Sequence, residues 1–319
     1  MRFAIIIVFL VTFAVAVFPQ QAENPDVTRI DAAPSKGFSY AYYLYVPASF
    51  KASENNEKVR TLLVIPNNSG KINDDIAFHD ADVKRKISGI GPFMTTNGVS
   101  TPLLMPVFPR PETEHRLYTH SLDRDTFTTD KKEFHRLDLQ LAAMIKDAQE
   151  RLNLMGVRVE TKVLMQGYSA SGMFVNRFVF LHPELIKAAI VGAPGGWPTA
   201  PVAEFGGKKL TFPAGIADVK ELTGKKFDLK AVRRVPMFHL LGGVDTNDAV
   251  PMGDAYDKRE SELVIELFGK TPVERFPHAQ KLYKDAGLNA EFKLYPNTPH
   301  QMSNEMRTDQ LAFLKKHAL

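Results

Sequence analysis

Apolar residues in this chain fall in short runs whose period switches between two and about three and a half, with polar or Gly/Pro breaks between them. Phe38 to Val46 is aromatic and alternating, which predicts an opening antiparallel strand. Arg60 to Ile65 is a short apolar strand ended by Pro66-Asn67-Asn68-Ser69-Gly70, and Val99 to Phe108 reads as another. Lys131 to Leu154 changes period: Phe134, Leu137, Leu141, Met144, Ile145 and Ala148 recur at three- and four-residue steps, one face of a long helix. Apolar strands follow before Gly167, at Lys187 to Val191 and at Pro236 to Gly243, and an alternating one runs from Ala290 to Tyr295. A helix from Met173 to Leu181 stops at His182-Pro183. Strand, helix and strand repeated at this spacing predict an α/β fold: a mostly parallel central sheet with helices on both faces and right-handed crossovers.

One stretch breaks the alternation. Gly195 to Arg234 carries Pro198, Pro201, Pro213 and six glycines, too long for a simple connection, so a cap or active-site insertion is expected around 195–234. Trp197, the only tryptophan, opens it and is a candidate for lining a substrate cleft together with Tyr168; an aromatic plug under the insertion is the competing role.

Composition narrows the class. A hydrophobic fraction of 44% in 319 residues supports one sizeable core, and 40 basic against 36 acidic residues give a net charge of +4 without a basic block. No stripe or motif for nucleic acid is visible. At the N-terminus Arg2 precedes an apolar run from Phe3 to Phe18, with small residues at Ala14, Ala16 and Ala22. This pattern predicts a signal peptide over 1–22, cleaved near Ala22, and an exported (periplasmic or extracellular) domain over 23–319; a membrane partner is expected only if the segment stays uncleaved. With no cysteine, such a domain relies on its core instead of disulfides.

The chemistry starts at Gly167-Tyr168-Ser169-Ala170-Ser171-Gly172, where an apolar strand turns into a helix with a serine at the bend. Such a turn exposes the hydroxyl above the positive end of a helix. The pattern is G-x-S-x-S, with Ser171 where a second glycine is usual; serine is the next smallest residue that lets helix and strand approach. Downstream, the strand before Gly242-Gly243 ends in Val244-Asp245-Thr246-Asn247-Asp248, and the last strand ends in Pro296-Asn297-Thr298-Pro299-His300. Serine, aspartate and histidine thus appear in that order, each just beyond a strand end.

On these residues the chain resembles the α/β-hydrolase superfamily, and within it secreted serine esterases and polyester (polyhydroxybutyrate) depolymerase-like proteins. The likeness spans roughly residues 38 to 315. It departs at Ser171 and in lacking a His-Gly dipeptide at the oxyanion loop. The resemblance implies an exported serine hydrolase cleaving carboxylic esters through an acyl-enzyme, on a small-molecule or polymeric ester. Ser169 would be the nucleophile, His300 the base and Asp245 the acid that orients it, with Asp248 the alternative acid. The oxyanion hole would use the backbone N–H of Ala170 and one from Asn68 or Asn67. No organic cofactor or metal is implied: His115, His120, Asp123 and Asp125 match no ligand spacing. A peptidase of the same fold, or an exported binding protein that has lost activity, are the alternatives. His79, His135, His182 and His317 read as packing or surface residues, and Asp74-Asp75 as a solvated helix start.

Overall fold

The computed structural model describes residues 24–51, 58–114 and 116–318. The expected signal peptide over 1–22 and His115 lie outside these residues. Among the described residues there are ten strands: β1 Val27–Ile30, β2 Tyr42–Tyr45, β3 Leu63–Val64, β4 Leu103–Pro106, β5 Val163–Tyr168, β6 Ile186–Gly192, β7 Glu204–Phe205, β8 Lys208–Lys209, β9 Met237–Gly242 and β10 Ala290–Tyr295. The helices are α1 Ala48–Lys51, α2 Ile76–Thr96, α3 Asp125–Thr128, α4 Leu137–Leu154, α5 Ala170–Leu181, α6 Val219–Thr223, α7 Leu229–Val232, α8 Lys258–Phe268, α9 Pro272–Asp285 and α10 Asn304–Ala318.

Eight strands form one sheet in the order β1-β2-β4-β3-β5-β6-β9-β10. The pairs β1/β2 and β2/β4 are antiparallel, and every pair from β4 onward is parallel. Burial on both faces explains why the inner strands are continuously apolar. Neighbouring residues on one strand point to opposite sides. Val64, Leu104, Met165 and Val191 join the core beneath α4 and α5, while Leu63, Leu103, Leu164 and Ile190 join the one beneath α2 and α10. Helix α5 is buried from Ala170 to Phe180, so its sequence carries no polar face. Strand β10 closes the sheet with one neighbour only; Glu291 and Leu294 are exposed on it.

The architecture is the α/β one expected, with three local differences. The regular ladder of β3 covers only Leu63–Val64, although Arg60 continues the segment through bonds to Arg158 and Glu160. Helix α4 starts at Leu137 instead of Lys131: Arg136 adopts φ 54°, which interrupts a right-handed helix, and its guanidinium grips Asp138 at 2.8 and 2.9 Å. The stretch over 195–234 holds a two-stranded β7/β8 hairpin and the short helices α6 and α7. It packs Trp197, Leu210 and Ala214 against Ala170, Met173 and Phe268, forming a separate core beside the start of α5. Among the described residues no helix is long and apolar enough to cross a membrane.

Candidate active site

The bend between β5 and α5 is enforced by close backbone approaches. A Cβ on Gly167 would lie 2.1 Å from the carbonyl oxygen of Ser171, and one on Gly172 would lie 2.3 Å from that of Gly192 in β6. The glycine that lets α5 touch its neighbouring strand is therefore Gly172, one residue later than the usual pattern. This frees position 171 for a serine. The Ser171 hydroxyl folds back across the turn, donating to the Tyr168 carbonyl and accepting from the Tyr168 N–H, both at 2.9 Å.

Ser169 sits at the apex with φ 60° and ψ −127°. For a non-glycine residue this conformation costs on the order of 1–3 kcal/mol and persists only where its surroundings impose it. Here the Ser169 N–H is fixed to the Gly192 carbonyl at 2.9 Å, and the Ser169 carbonyl accepts from Met173 at 3.0 Å. Ala170 follows as the first residue of α5, so its N–H belongs to the first turn, which has no acceptor within the helix.

The loops after β9 and β10 are laced together: Gly243 N–H bonds to Tyr295 and Val244 N–H to Thr298, at 2.7 and 3.1 Å. They bring Asp245 and His300 into contact, with His300 Nδ1–H donating to Asp245 Oδ2 at 2.8 Å. Asp245 is 2% exposed and its other oxygen accepts from Asn247 N–H at 2.8 Å, so the carboxylate is held from both sides. That bond fixes the tautomer with Nε2 unprotonated, the state a proton acceptor needs. The Tyr168 ring packs against the imidazole with centroids 5.2 Å apart. Burial, then the charge of Asp245, raise the Tyr168 phenol well above its ordinary value, so it stays a neutral hydroxyl. Among the described residues neither Ser169 Oγ nor His300 Nε2 makes a hydrogen bond; such contacts commonly tighten only with substrate bound.

Asp248 is engaged elsewhere. Arg275, fully buried on α9, binds its two oxygens at 2.8 and 2.9 Å and also bonds the carbonyls of Gly196, Gly269 and Lys270. The alternative acid is thus the anchor of the loop, and Asp245 is the carboxylate facing the histidine.

The two asparagines after β3 separate in the same way. Asn68 lines the cavity beside Ser169, its side chain turned onto Gly70 N–H at 3.1 Å. Asn67 is 1% exposed; its amide donates to the Phe108 carbonyl at 2.8 Å and accepts from Phe108 N–H at 3.1 Å, copying a strand pair. His120 closes this knot against the Phe108 carbonyl at 2.8 Å. Burial pushes its imidazole down to about 3, so it is neutral at physiological pH.

Trp197 does not line the cleft. Its ring is 1% exposed, stacked on Phe268 at 4.1 Å, with Nε1–H bonded to the Ala214 carbonyl at 2.9 Å. A large indole with one donor is well placed as a plug where the insertion offers both an aromatic face and a carbonyl. Tyr168 does line the cavity, which has a volume of about 610 Å³ and runs from Ser169 between α2 and α10. Among the described residues no group of three or more His, Cys, Asp or Glu side chains could hold a metal ion. Sequence reasoning missed Arg275, Ser171 as a brace, and the cavity residues of α10, because each acts through partners distant in sequence or on another helix face.

Sheet order, crossovers and the strained serine bend together define the α/β-hydrolase fold. Solved structures bear this out. The chain is similar to poly(aspartic acid) hydrolase-1 from Sphingomonas sp. KT-1, at 18% identity over 91% of this chain and 98% of that one, with a TM-score of 0.57. It is also similar to LpqC, a poly(3-hydroxybutyrate) depolymerase from Bordetella parapertussis (15% identity, 90% and 92% coverage, TM-score 0.52). A third is the siderophore hydrolase EstB from Aspergillus nidulans (14% identity, 93% and 97% coverage, TM-score 0.51). No family model and no curated protein matches the sequence.

Proposed function

We propose that this protein is an exported serine hydrolase that cleaves carboxylic esters. The observation that supports this most is the 2.8 Å bond from His300 Nδ1–H to Asp245, with the imidazole packed against Tyr168, the residue before a serine held at φ 60°. In this reading Ser169 Oγ attacks the ester carbonyl carbon while His300 Nε2 accepts the hydroxyl proton. The negative charge that develops on the carbonyl oxygen is met by the Ala170 N–H and by the backbone of the Asn68 loop. Collapse of this intermediate breaks the ester C–O bond, and the imidazolium returns its proton to the departing alcohol. Water then attacks the acyl-enzyme with His300 again as base, releasing the carboxylic acid and regenerating Ser169. Asp245 keeps the ring in its tautomer and stabilises the imidazolium. The similar structures are a poly(aspartic acid) hydrolase, a poly(3-hydroxybutyrate) depolymerase and a siderophore hydrolase, which is consistent with hydrolytic chemistry. Export follows from the signal-peptide pattern at the N-terminus.

The test is covalent labelling by a fluorophosphonate together with turnover of a short-chain aryl ester, comparing the mature protein with Ser169→Ala. Labelling and turnover that both vanish in the variant support the reading. A folded wild type that neither labels nor turns over leaves a binding protein on a hydrolase fold.

A further inference from the structure

The cavity beside Ser169 has a charge pattern that ester cleavage alone does not require. Arg85, Lys86 and Arg307 line it, and no aspartate or glutamate does. Asp82 pairs with Arg85 at 2.6 Å and Lys86 at 2.8 Å and offsets one of these charges. Arg307 has no ion pair among the described residues, so the cavity stays net positive. Apolar side chains, Met94 and Met302 among them, share the lining with these cations, and Lys86 also donates to the Asn68 carbonyl.

The same cavity is lined by a buried amide with capacity to spare. Gln310, 4% exposed, also lines the cavity and shares a single 3.3 Å bond with Gln166, leaving Gln310 Nε2 and Gln166 Oε1 without partners. Turning both amides over exchanges the roles but still leaves one N–H group unpaired. A buried donor without an acceptor is costly and marks a place where an acceptor fits.

We infer that this cavity takes an acyl group ending in a carboxylate. The inference rests on the ester-hydrolase reading and names its substrate class: the ester carbonyl at Ser169, a short apolar chain along the methionine wall, and the far carboxylate at Arg307 and the glutamine pair. The reach is right for this. Gln166 precedes Ser169 by three residues on β5, about 10 Å along a strand, and Arg307 lies about one helical turn before Gln310 on α10. An uncharged chain would fill the walls but leave the buried amide unmatched and forgo the charged hydrogen bond to Arg307.

The experiment compares 4-nitrophenyl hexanoate with the 4-nitrophenyl monoester of adipic acid at low ionic strength, in wild type, Arg307→Gln and Arg307→Lys. In parallel, calorimetry follows adipate and hexanoate binding to Ser169→Ala, with and without Arg307→Gln. The expected result is a kcat/KM ratio favouring the charged ester by about tenfold, the order contributed by one hydrogen-bonded charge. That ratio should collapse in Arg307→Gln and recover in part in Arg307→Lys. A ratio near one, or one that Arg307→Gln does not move, overturns the inference. If neither ester is hydrolysed, the esterase reading fails and binding decides the cavity: tighter adipate than hexanoate, lost with Arg307→Gln, supports an anion site, and equal or absent binding overturns it.

Discussion

Asp245 and Asp248 sit on one loop with their carboxylates committed to different partners, Asp245 to His300 Nδ1 and Asp248 to Arg275. Removing either charge therefore has a distinct signature. Asp245→Asn should keep the fold and lower kcat by about 10,000-fold, because an amide no longer holds the productive tautomer. Asp248→Asn leaves a fully buried guanidinium uncompensated, which should cost about 3–5 kcal/mol of stability and reduce activity far less. Aryl-ester kinetics and denaturant midpoints on both variants check the split. An Asp248→Asn protein of native stability whose kcat matches that of Asp245→Asn would move the acid to Asp248.

The Asn67 clamp gives a second contrast. Asn67→Ala leaves the Phe108 N–H without a partner and its carbonyl with His120 alone, so a loss of about 1–3 kcal/mol is expected, with lower turnover as the cleft loop loosens. Asn68→Ala loses only the turn bond to Gly70 and should be milder in both respects. Thermal midpoints ranked the other way would contradict this division of labour.

Acid sensitivity should come from sealed histidines. Burial pushes His120 and His239 down to about 3, against an unfolded value of about 6.5. Below pH 6.5 the unfolded chain takes up protons that the folded one refuses. The contribution of each ring is full above that pH and falls by about 1.4 kcal/mol per unit as the pH drops toward 3. Among the described residues neither nitrogen of His239 has a partner, and its ring stacks on Phe292 at 4.3 Å. His239→Phe should therefore raise stability at pH 7 and remove about 1.4 kcal/mol per pH unit of the acid-side loss between pH 6 and 4, against the opposite contribution of Asp123 and Glu260, whose buried carboxyls are raised to about 8 and about 7. An unchanged slope in urea titrations across that range would refute the assignment.

At the serine bend, Gly172→Ala drives a methyl into the Gly192 carbonyl and should abolish activity by pushing α5 off β6. Ser171→Ala only removes the brace across Tyr168, costing about 1 kcal/mol and a modest part of kcat. Circular dichroism and turnover on the pair separate displacement of the helix from loosening of the turn.

Strands β5, β9 and β10 and the loops they feed were legible because each is a local signal: an apolar run, a glycine or proline break, then a reactive side chain. The same locality made Asp245 and Asp248 equivalent in sequence. Their partners, His300 and Arg275, are 55 and 27 residues away, and no period or motif ties them together. Trp197 illustrates another limit: a lone indole in a Gly/Pro-rich stretch fits cleft and core equally well until Phe268 and the Ala214 carbonyl are known to meet it. The start of α4 is not legible in the spacing, because Phe134 keeps the helical period while Arg136 breaks the backbone.

His300 follows β10, the strand with a single neighbour and a half-exposed face, whereas Ser169 follows a strand flanked on both sides. The two halves of the proposed reactive pair thus belong to regions of unequal durability. Warming should first let the sheet margin and α10 open, parting the imidazole from the serine while the centre stays intact. Heat inactivation would then be reversible over an interval below the unfolding temperature, with amide hydrogens of β10 exchanging ahead of those in β5.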